Sequence, residues 1–124
     1  MPREVITSDA LPSAGPFSHA VRGPADALYL SGQVGTDASG RLVEGGVQAQ
    51  AEQALRNLQA VLEAVGRTLD DVVRVGVYLT DMGSFAAMNE VYARFFAQPY
   101  PARTTIGVAA LPLGAAVEMD LVAK

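Results

Sequence analysis

Apolar residues recur every three or four positions along residues 47–65, where Val47, Ala51, Leu55, Leu58, Leu62 and Val65 form a stripe and Gln48, Glu52, Gln53, Arg56, Asn57 and Gln59 lie off it. That period matches an α-helical turn, so the spacing predicts an amphipathic helix, with Gly66 as its stop signal. A second helix is predicted over about residues 84–97, with Phe85, Met88, Val91, Tyr92, Phe95 and Phe96 on one side. Asp81 or Ser84 is its candidate N-cap, and Pro99 and Pro101 end it. Elsewhere the pattern alternates. Val73, Val75, Val77 and Leu79 point one way and Arg74, Gly76 and Tyr78 the other; Val117, Met119, Leu121 and Ala123 alternate with Glu118 and Asp120. A period of two predicts strands with one buried face. Residues 27–31, 104–109, 5–7 and 18–22 are further strand candidates, and residues 37–40 read as a turn.

Two amphipathic helices cover one face of a single sheet and no more. The opposite face is expected to carry Arg74, Tyr78, Arg103, Thr105, Glu118 and Asp120, and to be either wet or packed on another subunit. The fold class is therefore α/β (α+β), one mixed sheet with both helices on one side. No repeat or low-complexity tract divides residues 1–124, which predicts one domain.

Composition narrows the chemistry. The chain has no cysteine and one histidine, His19, which excludes disulfides, thiolate nucleophiles and His-pair metal sites. Net charge is −4 with nine scattered basic residues, which argues against nucleic acid as a partner. No stretch approaches the roughly 20 apolar residues of a membrane span, and the N-terminus lacks a secretory layout, so a cytoplasmic location is expected. Phosphate-loop, dinucleotide, zinc-protease, serine-hydrolase and CxxC motifs are all missing.

Arg103 and Glu118 are the most suggestive pair. If the strands at 103–108 and 117–123 are antiparallel neighbours, both side chains fall close together on the face away from the helices. Arginine offers a planar fork for a carboxylate, and a nearby glutamate can hold or deprotonate a water. The same pair also reads as a structural ion pair between strands.

Three blocks tip that balance. They are Ala14-Gly15-Pro16-Phe17-Ser18 with Leu30-Ser31-Gly32-Gln33-Val34-Gly35; Val77-Tyr78-Leu79-Thr80-Asp81 through Met88-Asn89; and Tyr100-Pro101-Ala102-Arg103 with Val108-Ala109-Ala110-Leu111-Pro112 and Val117-Glu118-Met119-Asp120. Together they resemble the reactive-intermediate deaminase (RidA/YjgF) family over essentially the whole chain. The resemblance implies a chorismate-mutase-like fold, a homotrimer with sheets around a central barrel, and clefts between subunits. It also implies hydrolysis of 2-imino acids such as 2-iminopropanoate and 2-iminobutanoate to 2-oxo acids and ammonia, without cofactor or metal.

By the same resemblance, Arg103 anchors the substrate carboxylate and Glu118 positions the attacking water. Ser31 and Asn89 line or support the cleft, Gly32 permits close backbone approach, and Thr105 stands where many members have cysteine. Phe17 replaces the family's usual tyrosine, so one hydroxyl is missing from the cleft. Two other functions stay open: a module that binds small carboxylates such as 2-oxo acids without turnover, and a ribonuclease or translation inhibitor, which the acidic charge disfavours. His19 reads as a solvated or cleft-rim residue, Asp70 and Asp71 as a turn, and the aromatic stripe of the second helix as core.

Overall fold

The computed structural model describes residues 2–13 and 15–124; Met1 and Ala14, the first residue of the Ala14–Ser18 block, lie outside the described residues. Six strands, β1 (Val5–Ile6), β2 (Ala20–Arg22), β3 (Leu28–Val34), β4 (Val72–Leu79), β5 (Ala102–Gly107) and β6 (Val117–Ala123), form one sheet in the order β1-β2-β3-β6-β4-β5. Helix α1 (Gly46–Glu63) joins β3 to β4, and α2 (Phe85–Phe95) joins β4 to β5. Among the described residues only the β4–β5 pair is parallel. The expected mixed sheet with two helices is what forms.

Local chemistry bounds α1 at its end and α2 at its start. Gly66 takes a left-handed φ of 72°, and the N–H groups of Gly66 and Arg67 return to the carbonyls of Glu63 and Leu62. Asp81 caps not α2 itself but a 3-10 turn, Met82–Ser84, that leads into it; its carboxylate accepts from the Gly83 N–H at 2.8 Å. Ser84 makes no side-chain cap bond. The core lies between the helices and the sheet, where Leu55, Leu58, Leu62, Met88 and Val91 meet Val75, Val77, Leu79, Val117 and Met119.

The structure corrects three expectations. First, β5 and β6 are not neighbours: β4 lies between them. Strand β6 buries every second side chain completely and takes a central place, whereas β5, with Arg103, Thr104 and Thr105, suits the sheet edge. Second, the inward residue opening β4 is Val72; the register slips between Val72 and Arg74, and Val73 swings out to 46% exposure. Third, two positions misread from periodicity are inverted. Phe85 is exposed, and Asn57 is buried, its amide donating to the Thr36 carbonyl at 2.9 Å.

Candidate functional site

Glu118 sits on β6 opposite Val34 of β3 and Tyr78 of β4, on the face away from the helices. A bulge in β3 between Leu30 and Gln33 brings Gly32 under its carboxylate. A Cβ at Gly32 would collide with Glu118 Oε2 and lie 3.0 Å from Cδ, so glycine makes the placement possible. Asp120, two residues on, folds over Gly76 in the same way and accepts a 2.9 Å hydrogen bond from the Tyr78 hydroxyl. Burial raises the pKa of Glu118 above the ordinary glutamate value, and the negative charge of Asp120 raises it further. Its carboxylate enters no ion pair among the described residues.

A cavity of about 320 Å³ opens beside this carboxylate, walled by Pro12, Phe17, Val34, Pro112 and Leu113 with Gly32 at its base. Phe17 is held there by its own loop. Its N–H donates to the Gly15 carbonyl at 2.9 Å, and its ring packs over Gly15, where a Cβ would approach Cε2 to 2.9 Å. Ser31 serves that loop: its hydroxyl donates to the Ser18 carbonyl at 2.6 Å, and it is not among the residues lining the cavity. His19 is 4% exposed, not solvated; Nδ1 accepts from the Ser8 N–H, and Nε2 lies 3.2 Å from the Pro12 carbonyl. It ties down the segment that brings Pro12 to the cavity.

Arg103 lies elsewhere. In the parallel β4–β5 ladder it pairs with Val75, and Thr105 pairs with Val77, so both face the helices rather than the open side. The sequence-based face assignment is therefore wrong for these two residues. It assumed a β5–β6 hairpin, whereas the α2 crossover sets the face. The guanidinium stands 4.6 Å from the ring centroid of Tyr92 and 5.6 Å from that of Phe85, a cation–π seat along one face of α2. Arg103, Asn89, Tyr92, Tyr100 and Pro101 line a second cavity of about 310 Å³.

Three buried polar atoms are unpartnered among the described residues: Asn89 Oδ1, the Tyr92 hydroxyl and Thr105 Oγ1. Asn89 and Tyr92 line the Arg103 cavity, and Thr105 shares the strand and face of Arg103. Buried polar atoms ordinarily find partners, so this corner has unused hydrogen-bonding capacity around a free cation. One chain thus presents two half-sites, an acid with an apolar cavity and an arginine on an aromatic seat, on opposite faces of the sheet. From the sequence Tyr92 reads as core alone, and it does lie in the core. The usable signal was its hydroxyl, since a tyrosine in a core stripe needs a partner that phenylalanine does not.

Among the described residues no cluster of three or more His, Cys, Asp or Glu is arranged to hold a metal, and no helix is long and apolar enough to cross a membrane.

Residues 7–124 match the family described as endoribonuclease L-PSP. Protein DfrA of Myxococcus xanthus is 48% identical over 126 residues, covering 99% of this chain and 96% of that protein. A mouse protein named 2-iminobutanoate/2-iminopropanoate deaminase is 46% identical, covering 98% of this chain and 90% of its own. The crystal structure of RidA from an Antarctic Psychrobacter superposes with a TM-score of 0.91 at 44% identity, covering 98% of both chains. The chain belongs to the endoribonuclease L-PSP family, the YjgF/RidA group.

Proposed function

We propose that this protein is a cytoplasmic homotrimeric deaminase that hydrolyses reactive 2-imino acids, including 2-iminopropanoate and 2-iminobutanoate, to 2-oxo acids and ammonia. The observation that carries this reading is the division of the site into two incomplete halves. Among the described residues Arg103 has no carboxylate partner and Glu118 no cation, and one chain keeps them on opposite faces. A second copy docked on the open sheet face brings the two halves into one cleft. That face presents Val5, Tyr29 and Ile106 exposed, an apolar content that favours burial against a partner. The deaminase name carried by the 46% identical mouse relative supports the same chemistry.

In this cleft Arg103 grips the substrate carboxylate with its fork, while Asn89 and Thr105 of the same subunit offer further polar contacts. Glu118 of the partner subunit accepts a proton from a water that attacks the carbon of the protonated imine, giving a neutral tetrahedral amino alcohol. The glutamic acid then returns that proton to nitrogen. As the C–N bond breaks, the hydroxyl proton of the amino alcohol passes to the Glu118 carboxylate and from there to the departing ammonia, and the 2-oxo acid forms. A carboxyl whose pKa burial and Asp120 raise above the ordinary glutamate value holds a returned proton more firmly than an ordinary glutamate, which suits both steps. Imine hydrolysis proceeds in water unaided, so orientation of substrate and water supplies the acceleration.

The test is a coupled assay in which a threonine or serine dehydratase generates the imine and semicarbazide traps it. Faster release of 2-oxo acid by the wild type, abolished in Arg103→Ala, is the expected result; no acceleration by the wild type overturns the reading. Phe17 favours a second reading, a carboxylate-binding module without turnover, because it lacks a hydroxyl to hold the water. Activity gained only in Phe17→Tyr would establish that reading for the natural chain. Cleavage of RNA, which the family description names, fits poorly with a net charge of −4, and an RNA digestion assay is expected to be flat.

A further inference from the structure

Arg103 is held differently from the arginines that the fold ties to acids. Arg22 pairs with Glu4, and Arg56 and Arg94 share Glu52, so each commits charge and N–H groups to a carboxylate. Arg56 also lies over a ring, 5.6 Å from the centroid of Phe95, yet it keeps its glutamate. Half-buried on β5, Arg103 has no such acid among the described residues and rests on rings alone. The two rings differ in firmness. Tyr92 is 6% exposed, and its ring stacks on Phe96 with centroids 4.5 Å apart and planes 30° from parallel, so the core backs it. Phe85, about two turns earlier on α2, is exposed and stands farther from the cation. The choice of seat matters chemically. A carboxylate under Arg103 would neutralise it and occupy the donors that an incoming carboxylate needs, whereas a ring attracts the cation through its quadrupole and takes no N–H group.

We infer that Tyr92 is a positioning residue: its ring fixes the Arg103 guanidinium before a substrate arrives and leaves the charge and the N–H donors of that arginine free for a carboxylate. The inference rests on the imine-hydrolysis reading, in which Arg103 is the carboxylate anchor. An arginine without a seat gives up side-chain freedom each time it closes on an anion, and the ring removes that cost in advance. The hydroxyl has no part in the seat. It is buried and unpartnered among the described residues, so a phenylalanine at position 92 serves Arg103 as well, and a leucine, which has no π face, does not.

The experiment compares the wild type with Tyr92→Phe and Tyr92→Leu as intact assemblies. In imine hydrolysis Tyr92→Leu is expected to raise KM about fivefold with kcat within about twofold, and Tyr92→Phe to stay within about twofold of the wild type in both. A KM unchanged in Tyr92→Leu overturns the inference, as does a rise in Tyr92→Phe equal to that in Tyr92→Leu, which would assign the effect to the hydroxyl. Tyr92→Leu also removes core packing, so a second measurement reads the seat in the wild type without any ligand. The ring current of Tyr92 should shift the Arg103 side-chain NMR signals upfield of those of the other arginines, in the wild type and in Tyr92→Phe alike. Signals at the ordinary arginine positions overturn the inference whether or not Tyr92→Leu folds. If no imine is hydrolysed, the hydrolysis reading fails and calorimetry with pyruvate decides the inference by itself. Binding about fivefold weaker in Tyr92→Leu and close to the wild type in Tyr92→Phe upholds it; equal binding by all three proteins, or none by the wild type, overturns it.

Discussion

Gly32 lies directly beneath the carboxylate of Glu118, so near that any side chain at position 32 would displace it. The contact spans a β-bulge, and the bulge is what shifts Gly32 from its regular register to a place under the acid. Gly35, three residues on, is equally tight for a different reason. A Cβ there would meet the backbone of Gln50 at 2.6 Å, where α1 crosses the end of β3.

These two glycines are expected to separate activity from stability. In Gly32→Ala the obstructing atoms end a flexible side chain, so the fold tolerates the change while the carboxylate moves, and kcat for imine hydrolysis falls about tenfold or more. In Gly35→Ala the obstruction is main chain, and urea unfolding should show a loss of about 1–3 kcal/mol.

The raised pKa of Glu118 has opposite consequences for activity and stability. As a base it acts deprotonated, so kcat/KM should climb with pH through a limb above the ordinary glutamate value of about 4.3. Asp120→Asn lowers that limb without returning it to the ordinary value, because burial is the larger cause. The protonated form is the one the fold favours, so the stabilising contribution is complete below the unfolded pKa and is lost as pH rises through the folded one. Glu118→Gln, neutral throughout, should therefore melt above the wild type at neutral pH and at the same temperature near pH 3.

Arg103→Lys preserves charge but loses the fork and the planar group that lies over Tyr92. Its KM for imines should rise about tenfold, with the melting temperature nearly unchanged. A KM equal to that of the wild type would mean that only charge is used.

His19 is expected to be structural. Its ring joins the Ser8 N–H to the Pro12 carbonyl, and His19→Ala leaves both groups without their partner. The expected loss is about 1–3 kcal/mol in denaturant unfolding. Hydrogen exchange should quicken at Ser8 and Leu11, whose N–H bonds lie within this segment.

Asn57 supplies a parallel case in the helix layer. Its amide donates to the Thr36 carbonyl at 2.9 Å, and its Oδ1 accepts from Gln53 at 2.9 Å. Asn57→Ala should cost about 1–3 kcal/mol by the same measurement, because the loop after β3 loses its bond to α1.

The residues that were legible from sequence are those whose role is local. The stripe of α1, the Gly66 stop, the alternation of β6 and the Asp37 turn all depend on neighbours within a few positions, and all formed as expected. Asn57 and His19 were misplaced for the converse reason. One polar residue on an apolar face has no period, and only a distant carbonyl or N–H tells whether it is buried.

By itself the sequence determined the number and kind of elements, the side of each helix that seeks the core, and the identities of the chemical groups available, Arg103 and Glu118 foremost. Tertiary structure decided where those groups point. The burial demanded by β6 drove it between β3 and β4, the α2 crossover carried β5 to the edge, and Arg103 turned with it to the helix face while Glu118 stayed on the open one. Strand neighbours are chosen by competition for the centre of the sheet, which no stretch of a dozen residues encodes. Gly32 acquired its meaning in the same way, from a bulge that exists only once the strands are paired.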